Sequence, residues 1–280
     1  MRTHPVRLAL LANLLLATSL SGATVDGIRL HSSTSGKGPK TVILVHGWTC
    51  DDRTWVSQVP VLSRDYRVIT LDLPGAGQSG SPRDGKLSMD LFARAIEAVR
   101  EEAKADRVAL VGHSMGTAAI MQYARLHPEH TVALVLVDGS VTVPPDAAPA
   151  MLAMAKQYAE SAKARETMVQ MMFTPNTSEE VKKQVLSMIL RAPAATATGM
   201  MQAFADPAIW KDDVFTQPVL AVYSAVSLTD ADPESDLTYM NRRFPRLDYV
   251  KMPGAGHFLM LERPDEFNRL LESFLDKLTF

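Results

Sequence analysis

Six short runs rich in β-branched and aliphatic residues recur along the chain, and most end at a turn-forming residue or pair. Residues 41–45 (TVILV) end at His46-Gly47, 67–73 (RVITLDL) at Pro74-Gly75, 107–111 (RVALV) at Gly112 and 131–137 (TVALVLV) at Asp138-Gly139; 218–223 (PVLAVY) and 247–251 follow. Runs with apolar side chains on both faces predict strands of a parallel sheet covered by helices, because a strand with one wet face alternates instead. The intervening segments supply those helices. Residues 88–104 set Met89, Phe92, Ile96 and Val99 at three-to-four spacing, and 117–126 repeats the pattern. Residues 264–278 open with Pro-Asp-Glu, suited to a helix N-terminus, and repeat Phe267, Leu270, Leu271, Phe274 and Leu275. Such units predict an α/β fold with a doubly wound, mostly parallel sheet.

One stretch breaks the alternation. Between Asp138 and Pro218 no strand pattern occurs, and the segment holds eight of the fifteen methionines. Helices are predicted over 149–173, 178–189 and 194–205, separated by Pro175-Asn176 and Pro193. The chain thus divides into a core, residues 24–140 and 214–280, and an all-helical cap insert, 141–213. The cap is expected over the carboxyl edge of the sheet, where open α/β sheets bind ligands. Its methionines suggest an adaptable apolar surface facing a cavity.

Residues 1–23 read differently. Arg2 and Arg7, an apolar run from Leu8 to Leu20 and then Ser21-Gly22-Ala23 have the layout of a cleavable secretory signal peptide. The run is too short and too polar to span a bilayer comfortably. The expectation is an exported protein, periplasmic or secreted, with no stable membrane insertion once the signal is removed. The composition of the whole chain fits a soluble globular protein: 46% hydrophobic and 21% charged residues. With 29 Lys+Arg against 31 Asp+Glu, the net charge of −2 offers no basic footprint for nucleic acid. Cys50 is the only cysteine, so no intramolecular disulfide can form. No metal or organic cofactor is expected. Gly75-Ala76-Gly77 is no dinucleotide fingerprint, and no Cys/His cluster has ligand spacing. The sequence does not indicate an oligomeric state.

Chemistry shows first at Gly112-His113-Ser114-Met115-Gly116, a G-x-S-x-G between a predicted strand and a predicted helix. In that setting the serine sits on a sharp turn with its hydroxyl above the sheet edge. A serine hydroxyl needs an adjacent base. His257, in the glycine-rich loop after the last strand, stands over the same edge. The oxyanion formed by attack needs preorganised N–H donors. The elbow offers Met115, and the turn His46-Gly47-Trp48 offers Trp48.

From about Thr41 to its end the chain resembles the α/β-hydrolase superfamily. The resemblance rests on His-Gly-Trp after the first strand, Asp72-Leu73-Pro74-Gly75-Ala76-Gly77-Gln78-Ser79, the Gly-His-Ser-Met-Gly elbow, Leu-Val-Leu-Val-Asp and Gly-His-Phe. It implies a serine–histidine–acid triad, two backbone oxyanion donors and a helical cap. Serine at 114 separates the chain from relatives with an aspartate nucleophile, the haloalkane dehalogenases and epoxide hydrolases. The acid departs from the pattern. Many members carry it soon after the strand matching residues 218–223, where this chain reads Ser224-Ala225-Val226-Ser227. Some place it at the end of the strand after the nucleophile helix, where Asp138 stands. Asp138 is the first choice, with Asp230 and Asp232 as alternatives. The expected activity is acyl-enzyme hydrolysis of a small or medium apolar carboxylic ester, lactone or thioester. Alternatives are C–C bond hydrolysis or cofactor-free peroxidase/perhydrolase chemistry on the same triad, or a small-ligand receptor on the hydrolase scaffold.

Overall fold

In the structure, a computed structural model that describes residues 22–224 and 233–280, the six apolar runs form six adjacent strands of one sheet. A two-residue hairpin, β1 (Thr24–Val25) and β2 (Ile28–Arg29), precedes β3 (His31–Ser35), β4 (Thr41–Val45), β5 (Arg67–Asp72), β6 (Val108–His113), β7 (Thr131–Val137), β8 (Val219–Ser224) and β9 (Leu247–Met252). The large sheet has seven strands in the order β3-β5-β4-β6-β7-β8-β9. Every pairing is parallel except β3 with β5. From β4 the chain passes to β5 on one side and then to β6 on the other, so a crevice opens at the carboxyl ends of β4 and its neighbours. The doubly wound, mostly parallel fold expected from the sequence is present.

Helices cover both faces of that sheet. They are α1 (Val59–Leu62), α2 (Met89–Glu102), α3 (Met115–Leu126), α4 (Ala148–Glu160), α5 (Ala162–Gln170), α6 (Glu179–Ile189), α7 (Ala194–Ala205), α8 (Pro233–Arg243), α9 (Leu259–Glu262) and α10 (Pro264–Leu275). Every residue of β4 and β7 is buried, which explains why those strands carry no polar alternation. Met89, Phe92, Ile96 and Val99 form the buried stripe of α2, whose first turn Ser88 caps by accepting from the Leu91 N–H at 3.1 Å. Burying four such side chains contributes on the order of 6–12 kcal/mol before the entropy of ordering them is subtracted.

Three elements differ from expectation. β3 (HSSTS) is polar and half exposed, so it lacks the apolar signature; it is an antiparallel edge strand. The helix expected over 149–173 is two helices. Ser161 is extended (φ −132°, ψ 113°), and its hydroxyl accepts from the Ala164 N–H to start α5. β6 runs to His113, two residues past the predicted end, so Ser114 follows the strand directly.

Helices α4 to α7 lie between β7 and β8 and bond to loops at the carboxyl edge. Thr196 Oγ1 donates to the Gly75 carbonyl at 2.9 Å, and Trp48 Nε1 donates to the Ala197 carbonyl at 2.7 Å. Both ends of this helical segment meet one buried residue. Arg243 donates from Nε to the Asp213 carbonyl at 3.1 Å and from Nη1 to the Val141 carbonyl, with its guanidinium against the rings of Phe215, Tyr239 and Phe244.

Most of the signal-like segment, residues 1–21, lies outside the described residues. Ala23 is already part of the fold: it is buried, its N–H donates to Glu102 Oε2 at 2.9 Å, and its carbonyl accepts from the Leu30 N–H. Among the described residues no helix is long and apolar enough to cross a membrane.

Candidate active site

Ser114 joins β6 to α3 in a conformation that L-residues seldom adopt, φ 53° and ψ −121°. Such a backbone costs about 1–3 kcal/mol and persists only where its surroundings enforce it. Here the Ser114 N–H donates to the Val137 carbonyl at 2.8 Å, and the Ser114 carbonyl accepts from the Thr117 N–H at 3.0 Å. The side chain makes no capping bond to α3, which leaves the hydroxyl uncommitted to the helix. The turn after β4 presses against it. A Cβ on Gly47 would stand 2.9 Å from Ser114 Cβ, closer than real Cβ atoms come, so only glycine lets the two loops meet.

Asp138 ends β7 in the left-handed region, φ 46°, which lifts its carboxylate over the sheet edge. Its main-chain N–H still donates to the Val222 carbonyl, keeping it in register with β8. Asp138 Oδ2 accepts from His257 Nδ1 at 2.7 Å. Ser224 supplies two more donors, its N–H to Oδ1 at 2.7 Å and its hydroxyl to Oδ2 at 3.1 Å. Both partners of the aspartate–histidine bond are buried, with side-chain exposures of 6% and 5%. Asp230 and Asp232 lie outside the described residues.

Because Nδ1 of His257 donates to the carboxylate, the network assigns the proton to that nitrogen and leaves Nε2 as an acceptor. The histidine loop is held from two sides. The His257 N–H donates to the Met172 carbonyl, and the His257 carbonyl accepts from His113 Nε2, both at 2.9 Å. The rings of His113 and His257 lie 4.7 Å apart. Burial first, and then the neighbouring His257, push the His113 imidazole well below its ordinary pKa, so it stays neutral. A neutral His113 adds no second charge beside His257 when the latter takes a proton.

The residues singled out in the sequence are therefore gathered at one edge. Asp138 and His257 are in direct contact, and Ser114 adjoins them through His113. No hydrogen bond joins Ser114 Oγ to His257 Nε2 among the described residues, an arrangement common before substrate enters. Trp48 and Met115 flank the serine, and neither main-chain N–H is engaged by another group among the described residues. Sequence reasoning missed the bracing roles of His113, Ser224 and Met172. Only the first carried a signal, as the polar residue inside the elbow.

One cluster outside this site has metal-ligand residue types: His31, Asp52 and Asp72, whose ligand atoms lie within 4.8 Å of one another. The Asp72 carboxylate is already in use. Its Oδ1 accepts from the Asp52 N–H and its Oδ2 from the Gln78 N–H, at 2.7 and 2.8 Å. These bonds fold the 72–79 loop and give the cluster a structural role.

Residues 42–270 match the alpha/beta hydrolase family along most of the chain. The chain belongs to this family. The hydrolase is 26% identical over 255 residues to the pimeloyl-[acyl-carrier protein] methyl ester esterase of Aeromonas hydrophila, covering 86% of this chain and 96% of that one. A shorter stretch of 121 residues is 35% identical to the dihydrolipoyllysine-residue acetyltransferase component of the acetoin cleaving system of Cupriavidus necator. That match covers 43% of this chain and only 32% of the relative. Among solved structures, a thermophilic esterase from Thermogutta terrifontis superposes with a TM-score of 0.81 at 24% identity, covering 92% of this chain and 97% of that one. This superposition shows a shared fold.

Proposed function

We propose that the chain is an exported serine hydrolase that cleaves a small or medium apolar carboxylic ester, lactone or thioester. The observation that carries this reading is the buried 2.7 Å bond from His257 Nδ1 to Asp138, set beside a serine on a strained strand-to-helix turn. His257 Nε2 takes the Ser114 proton while Oγ attacks the substrate carbonyl carbon. The main-chain N–H groups of Trp48 and Met115 hold the oxyanion. Collapse of the tetrahedral intermediate expels the alcohol or thiol, which receives the proton from His257. Water, activated by the same nitrogen, then attacks the acyl-serine and releases the carboxylic acid. Asp138 fixes the histidine tautomer and stabilises the imidazolium without itself taking the proton.

Support for ester chemistry comes from the esterase relative, which aligns along nearly its whole length. Support for an apolar pocket comes from the methionine-rich helical segment, where Met200 is buried against the Thr49 N–H of the oxyanion loop, Sδ at 3.5 Å. Export is supported by the basic start, apolar run and small residues of 1–23. The test is hydrolysis of p-nitrophenyl esters of increasing acyl length, with Ser114→Ala as control. Serine-dependent turnover with a chain-length optimum is expected. Turnover above a tenth of the parent's in folded Ser114→Ala would remove Ser114 as nucleophile. Cleavage of carbon-linked diketones in preference to esters would replace the ester reading.

A further inference from the structure

The loop that carries His257 is not positioned by the core alone. Its N–H reaches across to the Met172 carbonyl, in the turn between α5 and α6. One residue earlier, the Gly256 N–H donates to Glu262 Oε2 at 2.9 Å. The same carboxylate oxygen accepts from Thr177 Oγ1, also at 2.9 Å, and Thr177 belongs to that same turn. The turn is braced internally. Thr177 Oγ1 accepts from the Thr174 N–H at 2.9 Å, and Thr174 Oγ1 accepts from the Asn176 N–H at 3.2 Å. Both threonines are buried.

Two further observations single out Glu262. Its other oxygen, Oε1, is buried and lacks a hydrogen-bond partner among the described residues, a state native proteins seldom tolerate without a use for the group. A Cβ on Gly256 would also stand 2.7 Å from Glu262 Oε1 and 2.7 Å from the Met172 carbonyl oxygen. Carboxylate and turn therefore close on Gly256 from both sides, and the residue after it is the base. The helical segment grips the turn after β4 as well, through Ala197 on Trp48 and Met200 on Thr49.

We propose that Glu262 is a positioning residue: through Gly256 and Thr177 it fixes the His257 loop to the α5–α6 turn, so that the helical segment sets the aim of the imidazole. The inference rests on the reading of His257 as the base. Among the described residues the Glu262 carboxylate bonds to Gly256 and Thr177 and to none of Ser114, Asp138 or the His257 ring. It acts on the backbone one residue ahead of the histidine, and its cap-side partner is a single hydroxyl.

Three variants test this: Thr177→Val, which removes the hydroxyl at nearly constant volume; Glu262→Gln, which keeps an acceptor for Gly256; and Glu262→Ala. Two readouts are needed. One is the rate of Ser114 labelling by a small alkyl fluorophosphonate, with kcat and KM on a p-nitrophenyl ester. The other is the proton resonance of His257 Nδ1–H, which the bond to Asp138 moves far downfield and which requires no turnover. Glu262→Ala and Thr177→Val are expected to slow labelling and kcat tenfold or more with KM within about threefold, and to broaden or shift the imidazole proton. Glu262→Gln should remain within about threefold of the parent. If folded Thr177→Val and Glu262→Ala match the parent in labelling and in the imidazole resonance, the proposal is overturned. Should Glu262→Ala not fold, Thr177→Val alone decides. A parent that shows the downfield proton but never labels at Ser114 would overturn the nucleophile assignment, while the resonance in the variants still decides the role of Glu262.

Discussion

Asp138→Asn is the change whose outcome the hydrogen bonds determine most tightly. The Ser224 N–H donates to Oδ1 at 2.7 Å, so an asparagine here must turn its carbonyl oxygen towards that donor. Its NH2 group then occupies the position of Oδ2, facing His257 Nδ1 at the 2.7 Å now spanned by the donated proton. Two donors cannot face each other. The imidazole must move its proton to Nε2, and the nitrogen needed as acceptor for the Ser114 proton becomes a donor. Loss of the correct tautomer costs about 10⁴ in kcat, or ~5.4 kcal/mol at 1.36 kcal/mol per factor of ten. Stability should change far less, by about 1–2 kcal/mol, because the amide still bonds to Ser224 and to the flipped imidazole. The assay is steady-state p-nitrophenyl ester hydrolysis, with urea unfolding to confirm the fold. Asp230→Asn and Asp232→Asn should stay near the parental rate. A folded Asp138→Asn that retains more than a tenth of parental turnover would refute the reasoning.

Three other outcomes follow from described contacts. Trp48→Phe keeps the oxyanion N–H but removes the indole donor to the buried Ala197 carbonyl; chemical denaturation should show a loss of about 1–3 kcal/mol, and kcat should fall by up to about 10². His113 is held neutral in the fold while an unfolded histidine gains a proton near pH 6.5, so the unfolded state binds one more proton below that pH. Folding stability should therefore fall as pH drops below 6.5, by about 1.4 kcal/mol per unit from this residue, and His113→Gln should remove that share of the slope in urea titrations between pH 5 and 7. Burial pushes the Cys50 thiol up to about 12, so the native protein should resist iodoacetamide at pH 8 and react only when unfolded; stoichiometric labelling of the native chain would contradict its placement.

The central parallel strands were legible because burial on both faces leaves no polar alternation, as in TVILV and TVALVLV. The elbow serine and the histidine could be found because glycines and strand ends mark the edge they share. β3 was not legible: an edge strand written HSSTS meets solvent and has no apolar period to detect. Nor was α8, which follows β8 without a strong apolar stripe. The break at Ser161 hid inside a continuous helical composition, since one extended residue changes the path of the chain without changing its hydrophobicity. The acid was ambiguous for a different reason. Asp138, Asp230 and Asp232 were all candidates in the sequence, and the left-handed turn at Asp138, with Ser224 opposite, brings the first of them onto His257.

The buried guanidinium of Arg243 bonds the carbonyls of Val141 and Asp213, so the chain leaves the sheet and rejoins it at one point. In polymer terms the helical segment is a closed loop, and the entropy of closing such a loop grows only with the logarithm of its length, about 0.6 kcal/mol per doubling. The sheet is thereby insulated from what is strung between those two carbonyls. Helices can be lengthened, shortened or exchanged there at small cost to the scaffold that carries the serine and the aspartate, provided the replacement still presents a carbonyl and the Thr177 hydroxyl to the histidine loop and another carbonyl to the Trp48 indole. Variation in the length of that segment therefore has an address in the chain, bounded by two backbone oxygens on a single arginine.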